Sequence, residues 1–253
     1  MRKKPSYRAG RKDGELIRLN KYIAGSGKCS RREADELIKA GRVRVNNKIV
    51  TELGTRVSRE DEVRLDKEVI KKEKKIYVLL NKPKDVITTT NDPEGRRTVT
   101  DLIDLRGDYR IFPVGRLDRN TTGVLLLTND GELTSKLTHP RYRVKKVYEV
   151  HLNRDLREED LARLIKGIEL EDGKFIMDKI SFIDPNSRKK MGVEIHSGRN
   201  RIIRRSFEHL GYEVAKLDRV MFAGLTKKNL PRGRYRILGP EEVGFLKMKK
   251  FDN

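Results

Sequence analysis

In FPVGRLDRNTTGVLLLTNDG, residues 112–131, an Arg-Leu-Asp sits in a Gly- and Thr-rich loop directly before a short apolar run. That run, 124–127, and a similar one at 77–80 are partly β-branched and bounded by turn residues, as buried strands are. A loop carboxylate held between buried strands is fixed yet reachable, which makes Asp118 a candidate for chemistry. On residue type alone, the plainer reading of Asp118 is a turn or cap residue.

Working outward, residues 156–165 and 200–210 read as helices, the second stopped by Gly211. Strands and helices are mixed without the regular alternation of a doubly wound sheet, so the class expected is α+β. Upstream, the charged run 71–75 has no apolar anchors and marks a linker, placed at 68–75. The larger domain then spans 76–243, with a C-terminal tail at 244–253. Before the linker, Leu19, Tyr22 and Ile23 fall on one helical face and Gly25 with Gly27 ends the element. Ser30-Arg31-Arg32-Glu33 has capping-box form and opens a second helix that runs to about Ala40, where Gly41 stops it. The segments 43–45 and 48–50 form a hairpin across Asn46-Asn47, and strand patterning continues to about Leu65, closing a module at 18–67. Residues 1–17 carry six basic side chains in the first twelve positions and no apolar periodicity, the pattern of a flexible basic tail.

The chain has 253 residues, 59 of them Lys or Arg against 38 Asp or Glu, a formal net charge of +21 that calls for a polyanionic partner. No run approaches the roughly 18 apolar residues of a spanning helix and no secretory pattern opens the chain, so a soluble, cytoplasmic protein without membrane contact is expected. A single cysteine, Cys29, excludes an intramolecular disulfide. Four scattered histidines lack metal-ligand spacing, so no metal is expected. Residues 1–67 hold 19 Lys or Arg against 10 Asp or Glu, many around the helix pair: Lys21, Lys28, Arg31, Arg32, Lys39, Arg42 and Arg44. Any single one is ordinary surface, but concentrated on one small module they are the footprint of RNA contact.

RLNKYIAGSGKCSRREADELIKAGRVRVNNKIV resembles the small RNA-binding domain first described in ribosomal protein S-four, a match over about residues 18–66. GRLDRNTTGVLLLTNDG resembles the signature of RNA pseudouridine synthases, in the group of ribosomal small-subunit and large-subunit enzymes that carry this same module. LNKPKDVITTTNDPEGRRTV before it, KKVYEV after it and GRNRIIRRSFEHLGYEV near the end resemble further family segments in the expected order. NDPEGRRTV and GIELEDG look most like the large-subunit synthase of the B type, which favours 23S over 16S ribosomal RNA. The resemblance implies a mixed, mostly antiparallel sheet with a central active-site cleft, and a monomer that isomerises a uridine of ribosomal RNA, free or in a subunit precursor, without a cofactor.

Pseudouridine formation breaks the bond from ribose to the base nitrogen, turns the uracil and joins the ribose to a ring carbon. A carboxylate beside the anomeric carbon can attack, stabilise positive charge or remove a sugar proton. The resemblance assigns that place to Asp118, pairs it with Arg204, and sets Tyr148 against the target base. A nearby cation keeps such a carboxylate ionised in a site shielded from water. Arg116 is the candidate to fill the space the flipped base leaves. Lys82 and Pro83 are expected at the site floor, with Lys82 facing RNA. Arg199, Arg201 and Arg205 are candidates for phosphate contact. Ile202 departs from the polar residue many relatives carry there, which removes one local hydrogen bond. A non-catalytic ribosome-binding or assembly protein on the same fold explains the charge equally well, but not an aspartate, a tyrosine and an arginine at the family's catalytic positions. A synthase acting on 16S or another RNA is the remaining alternative.

Overall fold

The computed structural model describes residues 16–71, 73–107 and 109–248, and the chain divides after Lys74 into two units. In the first, helix Leu19–Ala24 packs on helix Arg31–Lys39. Leu19, Ile23, Ala34 and Ile38 meet Val43, Val57, Val63 and Ile70 in one apolar core. The capping box is formed: the Glu33 amide donates to the Ser30 hydroxyl (3.2 Å) and the Ser30 amide to the Glu33 carboxylate (2.6 Å). The Asn46-Asn47 turn is also formed, with both residues at positive φ (48° and 63°), the left-handed twist that a two-residue hairpin needs.

That hairpin, Val43–Val45 with Lys48–Ile49, lies in an antiparallel sheet with Val63–Leu65 and Glu68–Val69. The last strand and Ile70, 3% exposed in the core, correct the linker boundary: residues 68–70 belong to the first unit. Of the expected basic tail, residues 1–15 lie outside the described residues, and Ile17 is already paired with Val57.

Among the described residues the second unit is built on a nine-stranded sheet. Its order is Lys179–Asp184, Ser187–Ile195, Lys146–Leu152, Val214–Phe222, Thr122–Thr128, Tyr77–Lys82 and Tyr235–Ile237, with Leu225–Thr226 and Phe112–Pro113 as side branches. All pairings are antiparallel except the central one, where Asp218 and Arg219 run parallel to Thr122 and Gly123. Alternate residues feed two separate cores: Val78, Leu80, Leu125 and Leu127 face one, Tyr77, Leu79, Val124 and Leu126 the other. Burial on both faces explains why these strands read as unbroken apolar runs. Helices Glu158–Lys166 and Ile202–His209 cover the first face through Leu164 and Phe207.

The second face is covered by two helices that the sequence pattern did not reveal. Gly131–Thr138 is capped by the Asp130 carboxylate, which accepts the amides of Glu132 and Leu133. Pro240–Met248 replaces the start of the expected C-terminal tail, for Leu246 is buried in that core. Residues 249–253 lie outside the described residues.

Candidate active site

Three clamps from residues 82–88 hold the loop that carries Asp118. Lys82 is fully buried, and its ammonium donates to the carbonyls of Pro83 (2.9 Å), Arg119 (3.1 Å) and Thr121 (3.0 Å). The Asp85 amide also donates to the Arg119 carbonyl. On the other side of the aspartate, the Thr88 hydroxyl donates to the Leu117 carbonyl at 2.7 Å. Both neighbours of Asp118 are thus pinned, Arg119 by the end of a buried strand and Leu117 by the buried Thr88 just beyond it, and its position in space is set without using its own side chain. Among the described residues, no hydrogen bond or ion pair engages the Asp118 carboxylate, which is free to meet a ligand.

The far end of the loop is fixed by close approach. Gly123, at φ 108°, lies so near the Val214–Phe222 strand that a Cβ would stand 2.2 Å from the Arg219 carbonyl oxygen. Only glycine allows the two strands to meet there.

A cavity of about 180 Å³ opens beside this loop. Its lining brings together Asp118, Arg116, Tyr148, Arg199, Arg201 and Ile202 from three separated segments. Tyr148 is 8% exposed on the Lys146–Leu152 strand, and Arg116 is exposed at the mouth. Arg201 adopts φ 46°, an uncommon conformation for a long side chain and of the kind that strained functional sites hold. Ile202, buried against the cavity, adds an apolar wall where a polar residue was the alternative.

Two expectations need correction. Lys82 is no RNA contact, because its three donors are spent on carbonyls inside the protein; it positions the loop instead. Burial pulls its ammonium down to about 8, an effect opposed by the charges of Asp118 and Asp85. Arg204 does not form an ion pair with Asp118: its guanidinium donates to the Val214 carbonyl at 2.6 Å. Burial and the neighbouring Arg201 lower its affinity for protons, an effect that the charge of Asp118 opposes through space.

The remaining basic candidates fall into two groups. Arg205 and Arg199 are tied to Asp172, Arg205 by two bonds (2.7 and 3.0 Å), and Arg201 reaches Glu208 at 3.4 Å. In the first unit Arg42 is held by Asp66 through a two-pronged pair, so its charge is largely compensated. Arg44 donates to the Asn47 carbonyl, while Arg31 and Arg32 stand exposed at the start of their helix and Lys21 lies in the last turn of the first.

Sequence reasoning missed two cations on the cavity wall, Lys146 and Arg219. Lys146 is two residues from Tyr148 on one strand, and this spacing, which puts both on one face, was the available signal. Arg219 stands directly across from Tyr148 on the neighbouring strand, next to a bulge between Val147 and Tyr148. Nothing in KLDRVMF announces that its arginine is buried.

Residues 76–209 match the family described as RNA pseudouridylate synthase, and residues 17–63 match the S4 domain. The chain is 43% identical to ribosomal large subunit pseudouridine synthase B of Bacillus subtilis (strain 168) over 90% of its length and 94% of the relative's. It is 39% identical to the protein of the same name from Vibrio cholerae serotype O1 over 91% and 74% of the two chains. A crystal structure of a pseudouridylate synthase superposes with a TM-score of 0.66 at 29% identity, covering 91% of this chain and 99% of that one.

Proposed function

The chain belongs to the RNA pseudouridylate synthase family, and on that premise we propose that it isomerises a uridine of large-subunit ribosomal RNA, with Asp118 as the catalytic carboxylate. The observation that carries this reading is the Asp118 loop: clamped on both sides by Lys82 and Thr88, its carboxylate unspent, beside a cavity that Tyr148 also lines. An acidic group presented in this way is arranged for a ligand and not for a turn. The substrate assignment leans on the names of the two B-type relatives and on the basic S4 domain, and it includes action as a cytoplasmic monomer on free RNA or on a subunit precursor.

In this reading Lys82 fixes the loop, Asp118 acts at the anomeric carbon, Tyr148 lies against the extruded base, and Arg116 fills the gap left in the RNA stack. Arg204 and Lys82 place positive charge close enough to Asp118 to interact with it through space. The test is pseudouridine mapping of ribosomal RNA from cells lacking the protein, restored with wild type or with Asp118→Asn. One large-subunit uridine is expected to lose modification, to regain it with wild type, and to stay unmodified with the variant although the variant still binds RNA. Full restoration by Asp118→Asn overturns the assignment and brings the assembly-protein reading forward.

A further inference from the structure

The geometry points to Arg219, seconded by Lys146, as the group that takes up the negative charge of the target base when its bond to ribose breaks. The inference rests on the isomerase reading above and adds a catalytic pair to it.

Arg219 is 2% exposed yet belongs to the cavity wall. Its Nε donates to the Val124 carbonyl at 2.8 Å and its guanidinium lies 4.7 Å from the centre of the Phe222 ring. One terminal nitrogen of the guanidinium is left with no hydrogen-bond partner among the described residues. A buried, charged donor without a partner keeps the full penalty of its lost hydration, and it calls for a partner the protein itself does not supply. Lys146 lies on the same wall, donating to the carbonyls of Val144 and His196. Burial and the neighbouring Arg219 pull its ammonium down to about 8, the mark of two cations sharing one poorly hydrated wall. The hydroxyl of Thr121, buried without a partner, lines the same cavity. No carboxylate is paired with Arg219 among the described residues, so the wall holds a surplus of positive charge facing the place where Asp118 and Tyr148 set the nucleotide.

The chemistry supplies the missing anion. When the bond from C1′ to N1 breaks, its electron pair leaves with the base, and the charge spreads over N1 and the two carbonyl oxygens. The sugar carbon either bonds to the Asp118 carboxylate or gives up its C2′ proton to it. Carbon C5 of the turned base then bonds to C1′ as the Asp118–C1′ bond breaks, or as C2′ takes its proton back from Asp118; the C5 proton leaves and N1 regains a proton, so atoms and charge balance. On either route the base is an anion between the two bonds. A guanidinium already fixed in a dry wall stabilises it without rearrangement.

The test uses the full chain in single turnover on two RNA fragments, carrying uridine or 5-fluorouridine at the mapped position, and follows loss of the N-linked nucleoside. Fluorine already makes the departing anion more stable. Arg219→Gln is therefore expected to slow uridine about 10²–10³-fold, as loss of one oriented donor does, and to slow 5-fluorouridine at least about tenfold less, with RNA affinity unchanged. Lys146→Met is expected to show the same selectivity at smaller size, and serves if Arg219→Gln does not fold. Equal losses on both RNAs, or none, overturn the proposal. A wild-type protein that consumes neither nucleoside overturns the isomerase reading itself.

Discussion

At the residue scale, the site depends on polar groups placed where composition hides them. A lysine in LNKPKDV looks like surface charge, yet Lys82 has no exposure and holds three carbonyls around Asp118. Replacing it by methionine leaves those acceptors unmatched in the interior. Lys82→Met is expected to cost the second unit about 1–3 kcal/mol, read by denaturant unfolding, and to lower turnover more than RNA affinity, because the loop that carries Asp118 loses its clamp. The arginine of KLDRVMF escapes sequence reasoning for the same reason: burial of a charged side chain is a property of its neighbours in space. Asp118 and Tyr148 were legible only because the ordered motifs around them resemble a family. By residue type they were a turn aspartate and a strand tyrosine.

At the element scale, local chemistry was read well where it is self-contained. The capping box at Ser30 and the Asn46-Asn47 turn are decided by residues three or four apart, and both form as expected. Elements fixed by distant partners were missed. Helix Pro240–Met248 contains Gly244, which argues against a helix until Leu246 finds its core beside Tyr77 and Leu79. The junction of strands Thr122–Thr128 and Val214–Phe222 is the most demanding contact of this second kind. Gly123→Ala brings a methyl group to 2.2 Å from a carbonyl oxygen at a backbone angle that alanine avoids. The expected outcome is a second unit destabilised by on the order of 3 kcal/mol or more, with activity lost, as circular dichroism melts and turnover would show.

At the scale of the whole molecule, charge is divided unevenly. The first 74 residues hold 22 Lys or Arg against 12 Asp or Glu, nearly half of the +21 excess on under a third of the chain. Arg42 is matched within the module, whereas Arg31 and Arg32 are exposed at a helix start, where backbone amides also favour anions. Arg31→Ala with Arg32→Ala is expected to weaken RNA binding and to flatten the dependence of log affinity on log salt by about 1.5 units, while turnover at saturating RNA stays unchanged. An unaltered slope would move the binding surface elsewhere on the module.

The central strand pairing joins residues 122–123 to residues 218–219, almost a hundred positions later. During synthesis, therefore, the RNA-binding module is complete long before the wall facing Asp118 has been made. A chain broken off before residue 214 is expected to occupy the RNA and leave its uridine untouched, so that premature termination would make a competitor of the very enzyme it truncates.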